Sequence, residues 1–92
     1  MWYVYILKCR DVSLYTGSTT DISRRLKKHN SGKGGNYTRM RYPVKLLLAE
    51  PHQSRSQAQK REAQIKRWTR DKKLALIHDD EPTLKKLSES RD

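Results

Sequence analysis

The sequence contains no phenylalanine and a single cysteine, and only 34% of its residues are hydrophobic. With so little apolar material the core must be thin, so each buried tyrosine or tryptophan carries a large share of the stability. Cys9 stands alone, which excludes a disulfide framework and fits a reducing cytoplasm. A zinc centre is disfavoured, because Cys9 and the three histidines show no paired ligand spacing.

Long hydrophobic runs are also missing. No stretch of 18 or more apolar residues is present, so the sequence predicts no transmembrane helix. The chain begins directly with a strand-like run, without a basic region or a small-residue cleavage site, which predicts no secretory signal. An acidic membrane surface is disfavoured as a partner, because no helix combines a broad apolar face with a basic one. We therefore expect a cytoplasmic protein.

Positive charge is abundant, with a formal net charge of +11 over 92 residues. Residues 1–78 hold 18 lysines and arginines against 5 acids, a balance of +13, whereas residues 79–92 hold 3 against 5. This length predicts one small domain over residues 1–78. Residues 79–92 are expected to form a polar acidic tail, either a frayed helix or disordered. The basic domain should attract a polyanion, DNA in the first place, with RNA as a possible partner.

β-branched and aromatic residues at the start of the chain predict a hairpin. Residues 2–7 form the first strand and residues 13–17 the second. Gly17 is expected to end the second strand, where the chain bends sharply or lets another group approach the backbone. Asp21 then has the position of an N-cap for a helix of about ten residues.

The second half of the chain predicts one more strand and two helices. Residues 43–50 are nearly continuously apolar, so we expect a well-covered strand that Pro51 terminates. A helix capped by Ser54 or Ser56 should follow. That helix is expected to run to about Trp68, and a short last helix is expected around residues 72–77. The fold class is α+β, with a small antiparallel three-stranded sheet flanked by helices in the order strand, strand, helix, strand, helix, helix.

Arg25 and His29 fall on the predicted inner stripe of the first helix, with Ile22 and Leu26. An arginine in that position needs an anion, either internal or external. One interpretation is a buried structural network of histidine and arginine. The other is a guanidinium that clamps a phosphate and stabilises charge during its transfer, with His29 as a proton shuttle or ligand.

Tyr5 and Tyr15 lie on the two neighbouring strands. Tyrosines in a hairpin are usually packing residues, because aromatic side chains favour strands. The functional alternative needs both hydroxyls to meet in one cleft. A phenol can then orient an attacking water or accept its proton, provided that nearby positive charge lowers the phenol pKa.

Glu62 is an isolated acid among basic residues of the second helix. It can form an ordinary i,i+4 pair with Lys66. It also shares a core-facing stripe with Ala58 and Ile65, and a carboxylate there is a candidate ligand for a hard cation. Magnesium commonly takes one or two carboxylates together with waters and substrate oxygens.

Several other residues are candidates for nucleic-acid contact. Tyr37, Arg39 and Arg41 interleave an aromatic ring with cations in a loop, a pattern that suits base stacking and phosphate binding but also fits an ordinary surface. Lys33 lies in the preceding glycine-rich loop, which lacks the ending of a P-loop. Lys72 can reach a backbone phosphate or complement a helix end.

In this order the residues resemble the GIY-YIG nuclease superfamily. Tyr3-Val4-Tyr5 stands where that family has Gly-Ile-Tyr, and Tyr15-Thr16-Gly17 stands where it has Tyr-Ile-Gly. Arg25, His29 and Glu62 match the helix arginine, the histidine one turn later and the metal-binding glutamate. The resemblance covers roughly residues 2–77. Tyr3 departs from the first family glycine. Many members also carry an asparagine near the site, late in the domain. No asparagine follows Glu62 here, so the role of that asparagine is empty or passes to Lys72 or another residue.

The resemblance implies metal-dependent hydrolysis of a phosphodiester bond. Glu62 would hold one Mg²⁺ or Mn²⁺, Tyr5 and Tyr15 would position or deprotonate the water, and Gly17 would let the substrate approach. Arg25 would bind the scissile phosphate, and His29 would assist proton transfer.

Small stand-alone bacterial proteins and the nuclease domains of structure-selective endonucleases are the most similar branches. The expected substrate is DNA, branched or damaged, in repair. The alternatives are a nucleic-acid-binding module without turnover and, more weakly, an accessory protein of a ribonucleoprotein. A monomer or weak homodimer is expected.

Overall fold

The computed structural model describes residues 1–33, 35 and 37–78, and its elements follow the predicted chain order. The predicted acidic tail lies outside the described residues. The elements are β1 (Trp2–Lys8), β2 (Leu14–Thr19), α1 (Ile22–Asn30), β3 (Lys45–His52), α2 (Arg55–Lys66) and α3 (Arg70–Ile77). None of these helices is long and apolar enough to cross a membrane.

The three strands form one antiparallel sheet in the order β2-β1-β3. This confirms the predicted α+β class. The central strand β1 carries Tyr5, which lies opposite Gly17 of β2 and Ala49 of β3. Both β2 and β3 are therefore edge strands.

Side chains that alternate along β1 divide the core into two layers. Val4 and Ile6 face the side on which α2 contributes the buried Ala58 and Ile65. Leu7 faces the other side with Tyr5, and α1 packs there through two half-buried side chains. The second cluster consists of Tyr5, Leu7, Cys9 and Val44, with Tyr15, Ile22, Leu26 and Leu46 packed against it.

The predicted helix starts are confirmed where a local cap sets them. The Asp21 side chain accepts a hydrogen bond from the Arg24 amide at 3.0 Å. Ser54 rather than Ser56 caps α2, and its hydroxyl accepts from the Gln57 amide at 3.2 Å. The third helix begins two residues earlier than predicted, at Arg70, because the Thr69 hydroxyl serves as its cap.

The α2 helix ends at Lys66, two residues before the end predicted near Trp68. Its last amides bond three residues back, Arg67 to the Gln64 carbonyl and Trp68 to the Ile65 carbonyl. Such bonds tighten the final turn of a helix into a 3₁₀ form. Trp68 then packs, half-buried, against the Val4 and Ile6 cluster.

The prediction for the third strand is wrong in two respects. Pro51 lies within β3 rather than after it, and it pairs with Tyr3. Proline is tolerated there because an edge strand has a partner on one side only. The strand is also less covered than predicted, with Leu46 and Leu48 half-buried and Ala49 exposed.

The second strand likewise continues through Gly17 to Thr19. Gly17 does not end the strand, but it does allow a close approach, and the approaching group is the ring of Tyr5. A β-carbon at Gly17 would lie 2.5 Å from the Tyr5 Oη and 2.7 Å from its Cζ. The space above Gly17 is therefore filled by tyrosine rings and is not left open for a substrate.

A polar network joins β3 to α2. Oε1 of Glu50 accepts hydrogen bonds from His52 Nε2 at 2.7 Å and from Arg61 Nε at 2.9 Å. Burial raises the pKa of Glu50, but the hydrogen bonds from Arg61 and His52 outweigh burial and hold the pKa below its ordinary value.

We expect acid to weaken the wild-type protein more than a Glu50→Gln variant. A carboxyl with a lowered folded-state pKa contributes stability that is present above its unfolded pKa. That contribution is lost as pH falls through the folded pKa. Free energies of unfolding from urea titrations, measured between about pH 6 and pH 3, should fall more steeply for the wild type. Equal slopes for the two proteins would contradict this.

Candidate functional site

Three aromatic rings meet on the α1 side of the sheet, next to Gly17. The Tyr5 Oη lies 3.2 Å from His29 Nε2, and both residues are buried, at 2% and 0% exposure. The Tyr15 ring packs edge-on against His29 with centroids 5.4 Å apart, and 6.3 Å from the Tyr5 ring. Two of the predicted tyrosines and the predicted histidine thus occupy one site.

Thr38 completes the surroundings of His29, and the sequence reasoning missed it. Its Oγ1 lies 2.6 Å from His29 Nδ1, and the residue is only 1% exposed. No local pattern marks a threonine in a polar loop as a histidine partner. Both ring nitrogens of His29 are therefore engaged, Nε2 with Tyr5 and Nδ1 with Thr38.

His29 is held in its neutral form. Burial lowers its pKa first, and the positive charges of Arg25 and Lys28 lower it further. A neutral imidazole has one donor and one acceptor nitrogen. The hydrogen bonds that link Tyr5, His29 and Thr38 can therefore be donated in either direction along the series. A shift of the protons between these groups reverses the direction of donation.

Tyr5 does not have the lowered phenol pKa that a role as a proton acceptor requires. Burial raises its pKa well above the ordinary value, the neighbouring Tyr15 and Glu62 add to the rise, and the charge of Arg25 opposes it without prevailing. The condition that nearby positive charge lowers the phenol pKa is therefore not met in the free protein, because burial outweighs the effect of Arg25. Tyr5 is a neutral phenol here.

Arg25 is half-buried on the inner stripe of α1, as predicted. It lines a narrow apolar recess with Tyr5, Leu26 and His29, and also a larger cavity on the outer side. No ion pair of its guanidinium occurs within the described part of the chain. The interpretation as a buried network of Arg25 and His29 is wrong, because the hydrogen bonds of His29 go to Tyr5 and Thr38. Among the described residues, Arg25 therefore has no carboxylate as an ion-pair partner.

Glu62 approaches the same edge strand from the α2 side. Its Oε1 accepts from the Ser18 hydroxyl at 2.6 Å, and its Oε2 pairs with Lys66 Nζ at 2.7 Å. Ser18 points to the face opposite Gly17, because side chains alternate along a strand. The charge of Glu62 nevertheless acts on Tyr5. The site therefore includes residues on both sides of β2: Glu62 on the side of α2, and Tyr5 on the side of α1, where it packs against Gly17.

The predicted i,i+4 pair of Glu62 with Lys66 is present, and Glu62 shares its helix with the buried Ala58 and Ile65 as expected, whereas its role as a metal ligand stays a prediction. Ser18, its other partner, was missed. The available signal was its place directly after Gly17, where strand alternation turns it toward α2.

The donor set around Glu62 fits a magnesium-like ion. The described residues contain no cluster of three or more metal-ligating side chains. A hard cation needs only one or two carboxylates when waters and substrate oxygens complete its shell. A carboxylate has about four lone-pair sites, so the bonds to Ser18 and Lys66 leave Glu62 able to bind a cation.

The predicted nucleic-acid residues separate into two groups. Tyr37 stacks on Tyr15 with centroids 5.7 Å apart, and Arg41 lies 4.3 Å above the Tyr37 ring while bonding Asp11 at 3.0 Å. These residues hold the loop against the site. Lys33 and Arg39 are exposed and line an open cavity of about 320 Å³.

Lys72 lies elsewhere, on α3, where it is one of the buried residues. It is only 6% exposed, and its Nζ lies 4.3 Å from the centroid of the Trp68 ring. A backbone phosphate needs an accessible cation, so we keep Lys72 out of the proposed contact surface.

We expect Thr38→Val to lower the free energy of unfolding by about 1–3 kcal/mol, because Nδ1 of the buried His29 loses its partner. Thr38→Ser keeps the hydroxyl and should recover most of the loss. Urea titration measures the stability, and the ¹⁵N shifts of His29 report its tautomer. Valine and serine variants of equal stability and with equal shifts would contradict the role of this hydrogen bond.

These elements define a small α+β domain with tyrosine, arginine and glutamate grouped at the edge strand. Residues 1–75 match the family described as the GIY-YIG catalytic domain. The chain belongs to this family, which is of the nuclease type and whose members generally depend on a divalent metal.

Related proteins cover nearly the same length. UPF0213 proteins from Staphylococcus aureus and Staphylococcus saprophyticus are 52% identical over 75 residues, which is 82% of this chain and 92% of theirs. The solution NMR structure of a UPF0213 protein from Bacillus halodurans is 48% identical, with a TM-score of 0.55, and covers 85% of this chain and 84% of its own. A structure from E. faecalis is 42% identical, with a TM-score of 0.59 and coverages of 86% and 84%.

Proposed function

We propose that the protein is a metal-dependent endonuclease that hydrolyses DNA phosphodiester bonds. The observation that carries this proposal is the half-buried Arg25, which has no anion of its own among the described residues and acts electrostatically on the Tyr5–His29 pair. On the other side of β2, Glu62 offers the single carboxylate that a magnesium site requires. Membership of a nuclease-type family supports the same conclusion.

In this proposal Arg25 binds the scissile phosphate. A guanidinium stabilises the charge that develops on the phosphate oxygens, and the partly dry recess strengthens that interaction. Glu62 would hold the divalent ion, Mg²⁺ or Mn²⁺, which would stabilise the leaving oxygen when bound. Tyr15, packed between His29 and Tyr37, helps to orient the water.

Tyr5 acts as a neutral relay in the proposed reaction rather than as a phenolate base. Its Oη takes a proton from the attacking water while its own proton passes to His29 Nε2, which lies 3.2 Å away. Burial disfavours the resulting imidazolium in the free protein, and the charges of Arg25 and Lys28 disfavour it further. A bound phosphodiester brings negative charge to Arg25 and removes part of that penalty.

The finer features of the proposal follow from the expected substrate. We propose branched or damaged DNA in repair, cytoplasmic action, and a domain of residues 1–78 that works as a monomer or weak homodimer. Lys33 and Arg39, both exposed, are the proposed backbone contacts in the loop after α1.

A second candidate is a nucleic-acid-binding module of the same fold without turnover. The observation that favours it is the state of Glu62, whose two oxygens already bond Ser18 and Lys66. The absence of an asparagine after Glu62 points the same way.

A cleavage screen distinguishes these candidates. Purified protein is incubated with linear, flap and junction DNA and with structured RNA, in Mg²⁺, in Mn²⁺ and in a chelator, beside Glu62→Ala purified in the same way. The nuclease proposal expects metal-dependent cleavage of DNA that Glu62→Ala lacks. Intact substrates under all conditions, with binding retained, would instead support the binding module.

A further inference from the structure

An open cavity lies on the outer side of α1, directly beside Arg25. Its volume is about 320 Å³. The cavity is lined by Thr19, Thr20, Asp21, Arg24, Arg25 and Lys28. The reaction proposed above uses only Arg25 of this set.

Arg25 stands at the boundary between two faces of α1. Leu26 and His29 lie on the face that packs toward the sheet. Arg24 and Lys28 are four residues apart, so they lie one above the other on the neighbouring outward face. Because Arg25 lines both the inner recess and the outer cavity, a phosphate bound at Arg25 would sit at the mouth of this cavity.

The cations of this cavity have no ion-pair partner in the part of the chain that the structure describes. Across the described residues, neither Arg24 nor Lys28 forms an ion pair, whereas Arg61 and Lys66 on α2 do. Among the described residues that line the cavity, Asp21 is the one carboxylate, and one of its oxygens accepts a hydrogen bond from the Arg24 amide as the helix cap.

This concentration of charge opposes folding. Like charges four residues apart on a helix repel each other and destabilise the helix. The potential also reaches the interior, since Arg25 and Lys28 help to lower the pKa of His29. A repulsive cluster beside a cavity is the arrangement expected where an external anion supplies the missing charge.

We propose that this cavity is a second phosphate subsite, which takes the backbone phosphate next to the scissile one on the same DNA strand. Arg24 and Lys28 hold the phosphate, and the exposed Thr20 hydroxyl can donate to it. The identity of the ligand rests on the function proposed above. Phosphate contacts fix register without reading sequence, so this subsite determines which bond lies at Arg25.

The test compares two double variants that remove the same charge. Arg24→Ala/Lys28→Ala empties the cavity. Lys27→Ala/Lys45→Ala removes two exposed lysines that do not line it. Both are made in a Glu62→Gln background, and the binding of a fluorescent flap DNA is measured at several salt concentrations. Each phosphate that the protein no longer neutralises reduces the slope of log affinity against log salt by about 0.9.

The cavity variant should lower this slope by about one unit, because a single phosphate is no longer neutralised, and it should weaken binding more than the control variant does. It should also unfold at the same or a higher urea concentration than its parent, because a like-charge pair is relieved. Equal effects of the two double variants on slope and affinity would overturn the subsite.

The subsite and the nuclease can fail separately. With Glu62 intact, the cavity variant should spread its cuts over neighbouring bonds of the strand. If the wild type cleaves and the cavity variant keeps both its salt slope and its cut position, the subsite is wrong and the nuclease stands. If the slope falls as expected but no condition yields cleavage, the subsite stands without turnover.

Discussion

Gly17→Ala is expected to cost about 1–3 kcal/mol of stability, the usual range for overpacking a tight core, and to slow cleavage by roughly 100-fold through misplacement of the site. A β-carbon at this position would lie 2.5 Å from the Tyr5 Oη and 2.7 Å from its Cζ. Tyr5 is 2% exposed and its Oη contacts His29, so a shift of the ring would disturb that contact.

The expected loss of stability in Gly17→Ala comes from displacement of the Tyr5 ring, and a double-mutant cycle can test this. Tyr5→Phe removes the Oη, which is the closest of the atoms that would clash. The stability cost of Gly17→Ala should therefore be smaller in the Tyr5→Phe background, with a coupling energy of about 0.5–3 kcal/mol between contacting residues. Urea titration of the four proteins gives this number. Costs that add without coupling would contradict a clash between these two residues.

Local signals in the sequence were enough for much of the fold. Asp21 and Ser54 cap helices through bonds that span only three residues. The alternation along β1 depends on the strand alone. Where the answer depended on a distant partner, the prediction failed. Pro51 lies inside β3 because the strand has no neighbour on its outer edge, a fact that strand order decides and residues 43–51 do not contain.

The candidate site shows the same division. The helical period placed Arg25 and His29 on one stripe, because that period is local. Their environment was not local. The raised pKa of Tyr5 comes first from burial, and burial depends on how α1 packs over the sheet. Ser18 and Glu62 are 44 positions apart, so no spacing rule could pair them.

Glu62→Gln tests the proposed metal ligand with the least disturbance of structure. The amide keeps an oxygen that can accept from Ser18, and it loses the charge and the ion pair with Lys66. Such a pair is worth only about 0.3–0.5 kcal/mol on a helix, so the fold should survive. A metal ion that stabilises the leaving oxygen contributes several kcal/mol, so cleavage should fall by more than about 100-fold.

DNA binding should behave in the opposite way. Glutamine removes one negative charge from the site of a protein with net charge +11, so affinity for the flap substrate should be equal or higher. Lys66→Gln is the matched control, because it breaks the same ion pair from the other side and leaves the carboxylate in place. It should keep most of the cleavage. If Glu62→Gln and Lys66→Gln lose activity equally, the ion pair rather than metal binding is what the site requires, and if Glu62→Gln cleaves at the wild-type rate, Glu62 holds no catalytic ion.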